Sequence, residues 1–143
     1  MKRPITSALL AAALSLSLVI PAGAVSSSTA VEAIQALGII TGDSSGDLNL
    51  SSPVTRAEFV TMMTAASSYK DSIGAGSGVS LFKDVKSDHW ASEYIKLAVE
   101  QGWMSGYVDG TFRPDDQITL EEACTALLKM LGYDSSTLAG SYP

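Results

Sequence analysis

The chain is 143 residues long, enough for one compact domain with a modest core. It carries 9 Lys and Arg against 15 Asp and Glu, a net charge of −6, which excludes nonspecific attraction to nucleic acid or to an anionic lipid surface as its working mode. Cys124 is the only cysteine, so no internal disulfide forms and stability has to come from packing.

At the start of the chain Lys2 and Arg3 precede an apolar run from Ala8 to Ile20 and then Pro21-Ala22-Gly23-Ala24, the pattern of an export signal cleaved after Ala24. The run is shorter than the roughly 20 residues of a bilayer span, so residues 1–24 read as a removable leader and no stable membrane span is expected after cleavage. Much of the positive mean hydropathy belongs to this leader, since the remainder is rich in Ser, Gly and Asp. Loss of Lys2 and Arg3 makes the exported part more acidic still.

Behind the leader the sequence matches itself without gaps, Val31 falling on Ile95 and Tyr69 on Tyr133. Gly38, Gly42, Gly46, Thr55, Glu58, Thr61 and Tyr69 recur as Gly102, Gly106, Gly110, Thr119, Glu122, Thr125 and Tyr133, while Leu48, Val54 and Met63 recur as Phe112, Ile118 and Leu127. The matches fall on turn glycines, a helix cap and apolar positions, where backbone geometry restricts the choice of residue. Residues 25–69 and 82–133 are therefore two units of one helix–loop–helix design, an all-α arrangement of tandem repeats.

In the first unit a helix is expected from about Ala30 to Leu37, stopped by Gly38. A second helix follows Thr55-Arg56-Ala57-Glu58, a Thr-x-x-Glu capping box in which the Thr hydroxyl accepts from the third helical amide and the Glu reaches back to the cap. Ser67 to Ser80, with Gly74-Ala75-Gly76-Ser77-Gly78 inside it, has too little apolar side chain to pack and reads as a flexible linker centred on residues 70–81. Those glycines do not make a phosphate cradle, because no strand leads in and no capped helix follows.

In the second unit Asp88 is the expected N-cap of a helix carrying Ala91, Tyr94, Ile95 and Ala98 on one face and ending at Gly102. Thr119-Leu120-Glu121-Glu122 repeats the capping box. In the helix after it Cys124, Leu127, Leu128 and Leu131 fall on one stripe, and the thiol is expected to be a small buried hydrophobe. Residues 134–143 are a Ser- and Gly-rich tail or a lead-in to a further unit.

The candidate chemistry is that of binding, not turnover. The single histidine, His89, stands beside Trp90 at a helix start with no GxSxG or HExxH around it, so neither a nucleophile–base pair nor a zinc site is expected. Carboxylate pairs are numerous, but two short helix pairs provide no deep cleft for a glycosidase. The Asp43-Ser44-Ser45-Gly46-Asp47-Leu48-Asn49 loop fails as a calcium loop, with its glycine at the wrong position and Val54 where a bidentate Glu is required, and it reads as an Asp/Gly turn. Sugar binding asks for less: an aromatic plate, a few convergent polar groups, and a cation if the polymer is acidic. Trp90, Trp103, Tyr107 and Phe112 cluster in the second unit, at least half of them expected in the core. Arg56 opposes the helix dipole in the first turn of its helix, and is either kept for a partner or an exposed, inert side chain.

Phe82-Lys83-Asp84-Val85, His89-Trp90-Ala91, Tyr94-Ile95, Gly102, the run from Gly106 to Asp115 and Ile118-Thr119 together resemble a nearly complete S-layer homology repeat. The first unit is similar but degenerate. It keeps Gly38-Ile39-Ile40-Thr41-Gly42 and the Thr-Arg-Ala-Glu of Thr55 to Glu58, and it lacks the Phe-x-Asp-Val opening. The resemblance implies a secreted, noncovalent anchor at the cell wall or cell surface, without enzymatic activity, cofactor or metal. Its partner would be a secondary cell-wall polysaccharide, often one bearing pyruvylated amino sugars. Family members usually combine three repeats in a pseudo-threefold helical assembly with ligand grooves between repeats. On this chain the resemblance implies that Arg56 pairs with a pyruvyl carboxylate, flanked by Thr55 and Glu58, by Gly42 and Asp43 of the loop, and by Trp90. Tyr107 and Asp109 of the second loop complete the candidate polysaccharide-binding set. Leu120 replaces the arginine in the second unit, so one working groove is expected. The alternative is an assembly module whose bundle is completed by another chain bearing such repeats.

Overall fold

A computed structural model describes residues 26–74 and 80–133. The leader read over residues 1–24, linker residues 75–79 and the tail over 134–143 lie outside the described part. Within it the fold is all-α, with helices α1 (Ser27–Ala36), α2 (Arg56–Ala65), α3 (Ser92–Glu100) and α4 (Leu120–Met130). They form two helix–loop–helix units, α1 with α2 and α3 with α4. Among the described residues no helix is long and apolar enough to cross a membrane.

The repeated sequence produces repeated backbone. Gly38 and Gly102 leave α1 and α3 with φ of 69° and 71°, and Gly46 and Gly110 turn the loops at 84° and 81°. Asn49 and Arg113 are the only non-glycine residues described with positive φ, and they occupy the same place in the two units. Both capping boxes form. Thr55 Oγ1 accepts from Glu58 N at 3.2 Å while Glu58 accepts from Thr55 N at 2.8 Å, and Thr119 with Glu122 reproduces these bonds at 3.2 and 3.0 Å.

Two helix starts differ from expectation. α1 begins at Ser27, because Ser26 accepts from Thr29 N and caps it earlier than the apolar pattern suggested. Asp88 does not cap α3. The chain turns through residues 87–91, His89 Nδ1 accepts from Ala91 N at 3.1 Å, and α3 starts at Ser92 behind Ala91, which has no side chain able to cap.

The core surrounds α2, which packs against both α3 and α4. Val60, Met63, Ile95 and Phe112 are almost wholly buried, each stabilising the fold by about 1.5–3 kcal/mol through apolar area removed from water. Tyr69 stacks edge-on against Trp103 with ring centroids 5.9 Å apart, so the first residues after α2 belong to the packed body. By contrast α1 buries none of its residues, and among the described residues none of its Cα atoms comes within 8 Å of one in another helix.

The Phe-x-Asp-Val opening braces the second loop. Asp84 accepts from Phe112 N at 2.9 Å and Arg113 N at 2.7 Å, bracing the loop from the far end of the unit. Phe82 lies so close to Gly106 that a Cβ there would fall 2.1 Å from its ring. The first unit lacks this brace, and its loop is held by its own side chains.

The stripe Cys124, Leu127, Leu128 and Leu131 is not core. Cys124 is exposed, the three leucines are 42%, 39% and 67% exposed, and the residue α4 buries is Ala126. Periodicity identified an apolar face correctly, but nothing among the described residues covers it.

Candidate functional site

The two units meet at the start of α2. Arg56 N donates to Asp116 O at 2.9 Å, Ala57 N to Pro114 O at 3.0 Å, and Ile118 N to Val54 O at 3.0 Å, with Thr55 and Gln117 forming an isolated antiparallel bridge. First-turn amides have no intrahelical acceptor, so the second unit's loop satisfies what α2 cannot.

Arg56 belongs to this junction. Its guanidinium is 3% exposed, with Nε donating to Phe112 O at 2.9 Å, Nη1 to Glu122 Oε1 at 2.7 Å and Nη2 to Ser105 O at 3.1 Å. It also lies 4.7 Å from the Phe112 ring centroid and 4.9 Å from that of Tyr107. Tyr107 donates its hydroxyl to the same Glu122 oxygen at 3.0 Å. Glu122 is held below the ordinary carboxylate range, first by the Thr119 amide, whereas Tyr107 is raised by burial and then by Glu122. Arg56 is thus neither an inert surface side chain nor an open cation. It bonds three groups of the second unit and neutralises a carboxylate there.

The residues expected around Arg56 therefore separate into two places. Gly42, Asp43, Glu58 and Trp90 line a groove of about 400 Å³ together with Ile40 and Asn49. Arg56 faces a smaller groove of about 170 Å³, whose other walls include Trp103, Ser105, Glu122, Thr125 and Lys129. Both lie between the units, but the guanidinium points into the one that Trp90 does not reach.

In the larger groove Trp90 is 59% exposed and stacked on His89, which leaves much of its indole open. Gly42 adopts φ of 75°, and a Cβ there would meet Asp47 O at 3.0 Å, so only glycine suits this tight loop. Asp43 Oδ1 accepts from Ser45 N, Ser45 Oγ and Asp47 N at 2.8, 2.6 and 3.1 Å, which lowers its pKa, with the Ser45 hydroxyl contributing most. This is the Asp/Gly turn expected of the loop. Thr55 spends its hydroxyl on the capping box, whereas Glu58 serves that box and also lines the groove.

Asp109 is engaged within the second loop, and Tyr107 reaches from that loop to Glu122 of α4. Asp109 Oδ1 accepts from Thr111 Oγ1 at 2.6 Å and Thr111 N at 3.0 Å, its Oδ2 pairs with Arg113 at 3.1 Å, and its pKa falls to about 2, the Thr111 hydroxyl being the largest cause. Arg113 lies 3.9 Å from the Tyr107 ring centroid. Of the four clustered aromatics, Trp103 and Phe112 are core, Tyr107 is half-buried and Trp90 is the exposed plate.

Sequence reasoning missed Lys129 and the pairing of Arg56 with Glu122. Glu122 was visible only as a cap, and Lys129 matches Ala65 of the first unit, so the repeat gave no signal for either role.

The model of the S-layer homology domain matches residues 22–60 and 81–124. The chain is 30% identical over 113 residues to the middle cell wall protein of Brevibacillus brevis, covering 79% of this chain and 11% of that protein. It is 30% identical over 113 residues to a surface layer protein of Brevibacillus choshinensis, covering 79% and 10%. A cellulosome-anchoring protein of Acetivibrio thermocellus is 40% identical over 79 residues, covering 54% and 17%. The chain thus spans a small fraction of the length of these relatives. Their names are those of a cell wall protein, a surface layer protein and an anchoring protein.

Proposed function

The chain belongs to the S-layer homology domain family, and from that premise we propose that it attaches an exported protein to the bacterial cell wall by binding secondary cell-wall polysaccharide noncovalently between its two units. The observation that carries this reading is the half-open Trp90 indole over a groove lined with hydrogen-bonding side chains. An indole face covers the apolar side of a pyranose ring. Asp43, Asp47, Asn49, Glu58 and Thr61 supply acceptors and donors for its hydroxyls.

Charge divides the work between the grooves. Three carboxylates and no cation line the Trp90 groove, which therefore suits an uncharged part of the polymer. An acidic, pyruvylated sugar belongs in the smaller groove, where the cations Arg56 and Lys129 offset the carboxylates of Glu121 and Glu122. Arg56 is 3% exposed, with Nε, Nη1 and Nη2 each bonded to the second unit, so Lys129 makes the direct contact while Arg56 holds Glu122 aside.

Retention on purified walls, with and without pyruvyl groups, tests both parts. Trp90→Ala is expected to lower retention on either wall, and Lys129→Gln only on the pyruvylated one. Undiminished retention of Trp90→Ala would remove the groove from the reading. Equal retention of the parent chain on both walls would remove the acidic sugar.

A further inference from the structure

The Trp90 groove does not end at Thr61. Ile39, Thr41 and Thr61 also line a second groove of about 340 Å³, which runs on along α2 past Thr64 and Ala65 to Lys70 and Tyr94. The segment after α1 forms one bank of both grooves, and the second unit forms the other through Trp90 in the first and Tyr94 in the second. The α2 residues between the banks advance from Glu58, Thr61 and Met62 to Thr61, Thr64 and Ala65, about one helical turn or roughly 5 Å. That advance is comparable with the length of one pyranose residue. A continuous trough with an aromatic ring at each of two stations suits consecutive residues of a chain better than a lone sugar.

Charge reverses along this trough. Asp43, Asp47 and Glu58 are the charged side chains around Trp90, whereas among the described residues Lys70 is the one charged side chain lining the second groove. Lys70 is exposed and makes no ion pair or hydrogen bond among the described residues. Tyr94 packs its ring on the core, while its hydroxyl takes no hydrogen bond among the described residues and is not sealed from solvent. By contrast Thr61 and Thr64 donate to Ala57 O at 3.0 Å and Val60 O at 2.9 Å within their own helix, so they have little left for a ligand.

An ammonium and a phenol hydroxyl, both without a protein partner and both on one groove, define what fits there: a carboxylate next to a hydrogen-bonding hydroxyl. Building on the polysaccharide reading, on which it rests, we infer that the sugar adjoining the one on Trp90 occupies the second groove. Its acidic substituent pairs with Lys70, and one of its hydroxyls bonds to Tyr94. Leu37, Ile39 and Ala65 take the carbon face of its ring. The ligand of the trough is thus a stretch of polymer in which a neutral sugar is joined to an acidic one.

Binding isotherms on purified walls, with and without pyruvyl groups, test the second groove. Lys70→Gln should weaken binding to pyruvylated walls about two- to fivefold, the loss of one exposed ion pair, and leave binding to depyruvylated walls unchanged. Lys70→Arg, which keeps the charge, should bind as the parent does. Tyr94→Phe keeps the packed ring and removes one hydrogen bond, so binding to both walls should weaken about two- to tenfold. Helical circular dichroism and urea unfolding of these variants should match the parent's. Parent-like binding by Lys70→Gln on pyruvylated walls, an equal loss on both walls, or parent-like binding by Tyr94→Phe would overturn the inference. Trp90→Ala distinguishes this failure from that of the reading beneath it. If Trp90→Ala loses binding while the Lys70 and Tyr94 variants keep theirs, the second groove alone is removed; if Trp90→Ala also binds as the parent does, both are.

Discussion

α2 and α4 begin with the same reciprocal threonine–glutamate lock and then depend on different sources of stability. α4 is locally well provided: Glu121 and Glu122 stand in its first turn and Lys129 in its last, each favourable to the helix dipole. α2 has Arg56 in its first turn and no basic residue in its last, yet it buries five residues against the rest of the fold. A helix at the centre of the body tolerates poor local electrostatics, because its arginine is satisfied by a neighbouring unit. A helix with one uncovered face has to be supported by its own sequence.

Paired substitutions at matching positions break or sharpen this contrast, with stability read by urea denaturation. Met63→Ala should cost about 2–5 kcal/mol, since the side chain is 2% exposed and leaves a cavity. Leu127→Ala, at the matching and exposed site, should cost less than about 1 kcal/mol. Equal losses would mean that α4 is covered after all.

Arg56→Ala should cost about 2–3 kcal/mol, because two carbonyls and the partly buried Glu122 lose their partner. Leu120→Ala should stay within about 0.5 kcal/mol. The caps themselves should not distinguish the helices: Thr55→Ala and Thr119→Ala should each cost about 1 kcal/mol, since both locks have the same bonds.

The smallest effect concerns the two loops in acid. Asp43 and Asp109 have folded pKa values below the ordinary 3.8, Asp109 at about 2. The stability they contribute is fully present above the ordinary carboxylate value and is lost as pH falls through the folded one, here between about pH 4 and 2 for Asp109. Asp109→Asn should flatten that part of an acid titration of stability while leaving the curve near neutrality parallel to the parent's.

Much of this architecture was legible in the residues. The self-match located both units, and the capping boxes marked the starts of α2 and α4 because they are local: four consecutive residues supply every donor and acceptor. The start of α3 was not legible, since the chain turns through residues 87–91 and the helix begins behind Ala91 with no side chain in the role assigned to Asp88. The candidate site was only half legible. Gly42, Asp43, Glu58 and Trp90 do share a groove, but the direction of the Arg56 side chain depends on carbonyls of residues 105 and 112, far along the chain.

By itself the sequence determined the repeat, its turn glycines, its helix locks and its apolar stripes, all properties of short segments whose geometry is fixed by neighbouring residues. Only the tertiary structure decided which stripe is covered and where a buried guanidinium points. Those outcomes depend on what another unit places opposite a helix, and a stripe of leucines is the same stripe whether it faces protein or water.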